Sequence, residues 1–260
     1  MLKKTQYTIR RFGPEGITAH TVDAITEIPL NIQLNGRDVV TLMCTGQHPR
    51  HLALGFLKSD ALIQNVRDVL DVKTEVCPDR IMVRVQVAHD PWEHHTLQRS
   101  ITSGCGKGTN FDNNVETISK RRLESDLTVR ASDILRLVEE LHGRSSLYRQ
   151  TRGCHNASLC TPTKMEVFRE DIGRHNAIDM LVGRCFEMDE STAGKMIVAT
   201  GRVASEILLK IVRIGIPIMI STSVSTGFSV ELARRTNLTL VGNVTRDSFW
   251  IYNDPGRIIT

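Results

Sequence analysis

The chain has no uninterrupted apolar stretch long enough to span a bilayer, and its opening residues, MLKKTQYTIRRFGPEG, are basic without the apolar segment of a secretory signal. Membrane insertion and export are therefore excluded as expectations, and a cytoplasmic protein is expected. No long Lys/Arg run occurs and the net charge is only +4, which argues against a dedicated nucleic-acid binder while mildly favouring anionic ligands. There is no CxxC pair. The six cysteines, at positions 44, 77, 105, 154, 160 and 185, are scattered through 260 residues, so a secreted disulfide scaffold is excluded and most of them should be buried apolar residues. The H-x-E and P-C-x-x-C elements of a zinc deaminase are missing. Cys154, His155, Cys160 and His175 are poorly spaced as metal ligands, and no structural metal is expected. Internal repeats and low-complexity tracts are also absent.

What remains is ordinary globular composition, 40% hydrophobic and 24% charged, at a length that suits one large domain or one domain with a smaller companion. The first hundred residues read as mixed β with one short helix. Asn35-Gly36 marks a tight turn, Leu52, Phe56 and Leu57 give a helical face between Pro49 and Ser59, and residues 69–76 and 81–87 form a hairpin around Cys77-Pro78-Asp79-Arg80. A Gly/Ser/Thr/Asn-rich stretch over 100–114 is read as a loop at the seam, dividing the chain into 1–100 and 101–260. Ser132 is the expected N-cap of a helix stopped by Gly143, and a strand is expected from Met165 to Phe168. From Lys195 onward, apolar runs alternate with amphipathic segments as βαβαβ, which predicts a parallel sheet covered on both faces.

Chemistry concentrates in four places. Residues 170–183, EDIGRHNAIDMLVG, bring Asp171, Arg174, His175 and Asp179 to one face if the segment is helical, with Gly173 allowing a bend or a close approach. In open α/β sheets ligands lie beyond the carboxyl ends of the strands. There this chain places Thr200-Gly201-Arg202, then Ser221 to Gly227 with Thr222, Ser223 and Thr226, then Asn243, Val244, Thr245, Arg246, Asp247 and Ser248. Hydroxyls, arginines and free helix N–H groups make concavities for a phosphorylated or nucleotide-like ligand. Finally, Cys105 stands in SGCGKG, where flanking glycines expose the sulfur and Lys107 favours thiolate, the nucleophile of sulfur exchange.

The segment EDIGRHNAIDMLVG resembles the E-D-[VI]-G-R-H-N-A-x-D-K-x-x-G signature of the FdhD-type formate dehydrogenase accessory sulfurtransferases, and NIQLNG, LALGFLKSDALI, SGCGKG, TRGCHNA, ATGRVASEILLK, STSVSTG and LTLVGNVTRDSFWIY follow in the family's order. The resemblance implies a cytidine-deaminase-like layered α/β domain without the zinc ligands, a small β-rich N-terminal region and a homodimer. It also implies a cytoplasmic carrier that takes persulfide sulfur from a cysteine desulfurase. The sulfur passes to molybdenum bis(molybdopterin guanine dinucleotide), bound as substrate and destined for formate dehydrogenase. Cys105 is then the persulfide-bearing catalytic residue. Residues 243–248 are the cofactor-binding segment, joined by Arg202, Thr222, Ser223, Thr226, Asp171, Arg174, His175 and His155. Four departures stand out: Gly108 where many members carry a second Cys, Cys154 beside His155 in place of Gly, Met180 in place of Lys, and Asn243 in place of an aromatic. Two rival functions follow from the residues, a cofactor-binding chaperone without sulfur transfer and a zinc-dependent nucleotide hydrolase.

Overall fold

The computed structural model describes residues 4–89, 99–101, 107–109 and 111–260. β1 (Lys4–Gly13) and β2 (Gly16–Ile25) pair into a largely exposed antiparallel arm. Asn35 and Gly36, both with positive φ, then form the anticipated two-residue turn between β3 (Ile28–Leu34) and β4 (Arg37–Cys44). Helix α1 (Pro49–Ser59) starts on a proline, whose fixed φ suits a first turn. A 3-10 turn, Val66–Asp68, precedes the hairpin of β5 (Val69–Val76) and β6 (Ile81–Val87). The four strands β3 to β6 make one sheet in the order β4-β3-β6-β5. Along β6 the buried Ile81, Val83, Val85 and Val87 alternate with outward residues, and they pack with Leu52 and Leu57 of α1 into one core.

Two short strands, β7 (Arg99–Ile101) and β8 (Lys107–Thr109), pair antiparallel, and α2 spans Phe111–Ser119. The loop expected over 100–114 is thus corrected. Val115 and Ile118, three residues apart, reach the main core, while Asn113-Asn114 beside them disguise the helix in the sequence. Next come β9 (Val129–Arg130), α3 (Ala131–Arg144) and the short α4 (Ser146–Thr151). Arg130, not Ser132, occupies the cap position of α3. The pairing of β9 fixes where that helix begins.

The larger sheet is built from β10 (His155–Cys160), β11 (Met165–Asp171), β12 (Met196–Ala199), β13 (Ile218–Ser221), β14 (Thr239–Gly242) and β15 (Trp250–Asn253), in the order β11-β10-β12-β13-β14-β15. β12, β13 and β14 run parallel, joined by α6 (Ser205–Arg213) and α7 (Gly227–Arg235), as the apolar runs predict. The flanking strands, outside the βαβαβ segment, are antiparallel, so the sheet as a whole is mixed. β10 and β11 are joined by four residues, 161–164, and β15 returns from β14 without a crossover helix; both connections dictate antiparallel pairing. Alternate strand residues serve two cores: Ile197, Ala199, Met219 and Leu240 face α5 (Arg174–Glu187), α6 and α7, whereas Val198, Ile218, Ile220 and Val241 face α3. The last strand, β16 (Ile258–Ile259), pairs with β9. The fold is therefore mixed α/β, with seven α-helices among the described residues, none of them long and apolar enough to cross a membrane.

The small sheet is fastened to the large one by a close crossing of α1 and α5. A Cβ on Gly55 would fall on the Asp179 carbonyl and come within 2.8 Å of Gly183 N, and one on Gly183 would come within 2.7 Å of Gly55 N. Only paired glycines allow that approach. Met180 and Phe186 of α5 consequently enter the core of the small sheet.

Candidate functional site

The carboxyl edge of the parallel strands is organised by register. His155 lies opposite Asp171, and Ala157 lies opposite Ala199, so the next in-phase step past β12 sets His155 against Gly201. Gly201 is required there on two counts: its φ is +89°, and a Cβ would sit 2.9 Å from His155 Nδ1. Thr200 closes the row, its Oγ1 accepting from Asn156 N at 2.9 Å and lying 3.5 Å from His155 Nδ1.

Residues 170–183 do not lie on one helical face, which corrects the expectation. Asp171 ends β11, and α5 begins at Arg174 with Gly173 as its cap. The Asp171 carboxylate is fully buried. It accepts from Thr45 N (2.8 Å), Thr45 Oγ1 (2.9 Å), Gly173 N (3.0 Å) and Asn176 Nδ2 (2.7 Å), clamping the loop after β4 to the start of α5. Burial raises its pKa while those donors pull the other way. Asp179 is committed elsewhere: it accepts from Lys210 Nζ (2.5 Å) and Ser59 Oγ (2.7 Å), a buried tie between α6, α5 and α1.

Arg174 and His175 remain available. Nε and Nη2 of Arg174 and Nε2 of His175 are buried atoms without a hydrogen-bond partner, a costly condition that a bound anion or other acceptor would relieve. Burial, then the nearby Lys210, Arg174 and His155, push the His175 pKa down to about 3, so this imidazole is neutral at physiological pH. Burial and Arg174 also lower His155. Arg174 shares a shallow hollow with Thr200, Gly201, Arg202 and Val203.

The three loops after the parallel strands are laced together. Ser221 Oγ donates to Gly201 O (2.7 Å), Val203 N to Val224 O (3.0 Å) and Asn243 N to Ser223 O (2.9 Å). Thr222 and Ser223 are half-buried, and Arg202, Thr245, Arg246, Asp247 and Ser248 are exposed. The Thr226 hydroxyl is engaged with Ser229 Oγ (2.6 Å) at the start of α7. Val244 turns its side chain into the core beneath α3, leaving only its backbone near the edge. Lys210 and Trp250 were not anticipated. A lysine inside the apolar run ILLKIV was the one available signal for Lys210.

Cys105 lies outside the described residues. Cys44, Cys154, Cys160 and Cys185 are buried, and burial pushes their thiols up to about 12, 11, 12 and 11 respectively, which keeps them protonated and poor nucleophiles. Cys77 is partly exposed.

Residues 25–259 match the model of the FdhD/NarQ family. The chain is 36% identical over 233 residues to the sulfur carrier protein FdhD of Geobacillus kaustophilus, covering 90% of this chain and 89% of that one. It is 35% identical over 234 residues to the protein of the same name from Bacillus subtilis, with the same coverage. Its fold resembles a crystal structure described as a formate dehydrogenase accessory protein from Desulfotalea psychrophila, with a TM-score of 0.82, 24% identity, and coverage of 99% of this chain and 100% of that one.

Proposed function

Because the chain belongs to the FdhD/NarQ family, we propose that it is a sulfur carrier serving formate dehydrogenase, with Cys105 as the carrying residue. In this reading the Cys105 thiolate attacks the terminal sulfur of a persulfide on a cysteine desulfurase. The donor's S–S bond breaks as the new one forms, and the electron pair leaves on the donor's cysteine thiolate. The sulfur is then delivered to molybdenum bis(molybdopterin guanine dinucleotide), the substrate, held across the carboxyl ends of β12, β13 and β14.

The observation that carries the reading is the set of unpartnered nitrogens on Arg174 and His175, at the edge where the hydroxyl-rich loops converge. Arg174, Arg202 and Arg246 meet phosphate oxygens, Thr222, Ser223, Thr245 and Ser248 supply hydroxyls, and Asp247 accepts from the guanine N1–H and N2–H₂. The high thiol pKa values of the four buried cysteines argue against them as nucleophiles, and Cys105, with glycine on both sides and Lys107 close by in sequence, is preferred over the partly exposed Cys77. A cytidine-deaminase-like fold without the zinc ligands, a homodimeric state and a cytoplasmic location belong to the same proposal.

The test is Cys105→Ala in cells that depend on this protein for formate dehydrogenase. Dehydrogenase activity should vanish while guanosine diphosphate binding to the purified protein is unchanged. Normal activity with the alanine variant would refute the assignment. Gly108 in the place of a second cysteine favours one rival, a chaperone that shields the cofactor without sulfur chemistry. That rival predicts bound cofactor whose terminal sulfur does not depend on Cys105.

A further inference from the structure

Trp250 is 54% exposed although it is the first residue of a strand in the main sheet. Its register partner is Gly242, which has no side chain to cover it, and β15 is the sheet edge, so among the described residues no strand flanks it on the other side. The indole is nevertheless held. Tyr252, two residues on and so on the same face, meets it edge-on with ring centroids 6.2 Å apart and planes at 73°. Tyr252 OH in turn accepts from Ser225 N at 3.3 Å, and its ring packs where a Cβ on Gly242 would lie. A braced aromatic ring therefore stands at the end of the 243–248 loop, on the same edge as Gly201 and Arg174. Three strand spacings, about 14 Å, separate β12 from β15. An extended nucleoside diphosphate covers such a span.

We infer that Trp250 is the stacking platform for the planar base of the ligand whose phosphates the neighbouring loops take, and that it sets the preference for a nucleotide over a bare diphosphate. This rests on the nucleotide-binding part of the proposed function. Polar loops alone hold phosphate; the indole adds a π-face that favours any flat heterocycle, while Asp247 in the adjoining loop selects guanine among them.

The experiment uses the full-length protein with Trp92→Phe, which leaves one tryptophan, and titrates guanosine diphosphate and inorganic pyrophosphate by calorimetry and by indole fluorescence. Guanosine diphosphate should quench Trp250 and pyrophosphate should not. W250A should bind guanosine diphosphate about tenfold more weakly with pyrophosphate affinity unchanged, and W250F should recover most of the loss. Equal guanosine diphosphate affinity in wild type and W250A would overturn the stacking role while leaving the nucleotide site intact. Should neither ligand bind the wild type, the nucleotide reading itself fails and the inference with it. A change from dimer to monomer in W250A, with nucleotide affinity preserved, would instead make the patch a contact between copies and would also overturn the proposal.

Discussion

Replacing Gly55 with alanine sets two physical effects of opposite sign against each other. In a helix interior alanine is favoured over glycine by about 1 kcal/mol, so propensity alone makes the variant more stable. The crossing of α1 and α5 says the reverse, because the new methyl would overlap the Asp179 carbonyl and stand 2.8 Å from Gly183 N, whereas ordinary contacts begin near 3.4 Å. Both obstacles are backbone, so no rotamer change relieves them. The helices must part, and a gap of roughly 1 Å forfeits about half the dispersion attraction of each pair of atoms it separates. The fully buried Leu52, Leu57 and Met180 sit around that contact. A net loss of about 3 kcal/mol is expected, at the upper end of overpacking costs and against the propensity gain. Urea unfolding followed by circular dichroism measures it. Gly183→Ala should cost a similar amount, and the double variant much less than the sum, since helices already parted accommodate the second methyl. A Gly55→Ala protein as stable as the wild type would refute the argument from close approach.

Asp171→Asn keeps the shape of the buried side chain but turns one acceptor oxygen into a donor, stranding either the Thr45 pair or the Gly173 and Asn176 pair. A loss of about 2–4 kcal/mol is expected from two unmet donors, read as a lower denaturation midpoint, and an unchanged midpoint would remove Asp171 as the clamp. Acidification should destabilise the protein through His175. Its folded pKa of about 3 lies below that of the unfolded chain, so the unfolded state takes up the extra proton. Stability is then fully present above about pH 6.5 and falls by at most about 1.4 kcal/mol per pH unit down to about pH 3. His175→Gln should flatten that slope in denaturant titrations at several pH values, and an identical slope would show that His175 is not the responsible group.

Local signals carried much of the architecture. The bounds of α1 follow from Pro49 and the apolar spacing of Leu52, Phe56 and Leu57, and the parallel strands follow from four-residue apolar runs too short for helices. The antiparallel partners were not legible. β10 is rich in small and polar residues, HNASLC, and is a buried strand only because neighbours on both sides cover it. The β1–β2 arm lacks a buried face and so has no clean period. At the site, residue type identified Arg174, His175 and the hydroxyl loops. It could not separate a carboxylate that meets a ligand from one consumed internally, because Asp171 and Asp179 find Thr45, Ser59 and Lys210 only through tertiary contacts between 31 and 126 residues away in sequence. Trp250 was invisible for a related reason, since its exposure depends on the glycine across the ladder.

Arg257 is 4% exposed and donates to Asn237 O (2.7 Å), Leu123 O (3.1 Å) and Ser125 O (3.2 Å). Beside it β16 pairs with β9. The stretch leaving α2 is therefore stapled by a side chain 132 to 134 residues further along the chain. The same stretch is also held by Leu123 N donating to Thr236 O (2.8 Å), Asn237 Nδ2 to Leu123 O (2.9 Å) and Ser125 Oγ to Ala193 O (2.9 Å). The segment between α2 and β9 is thus ordered by partners from the second half of the chain, and it takes its final geometry only once those partners have folded.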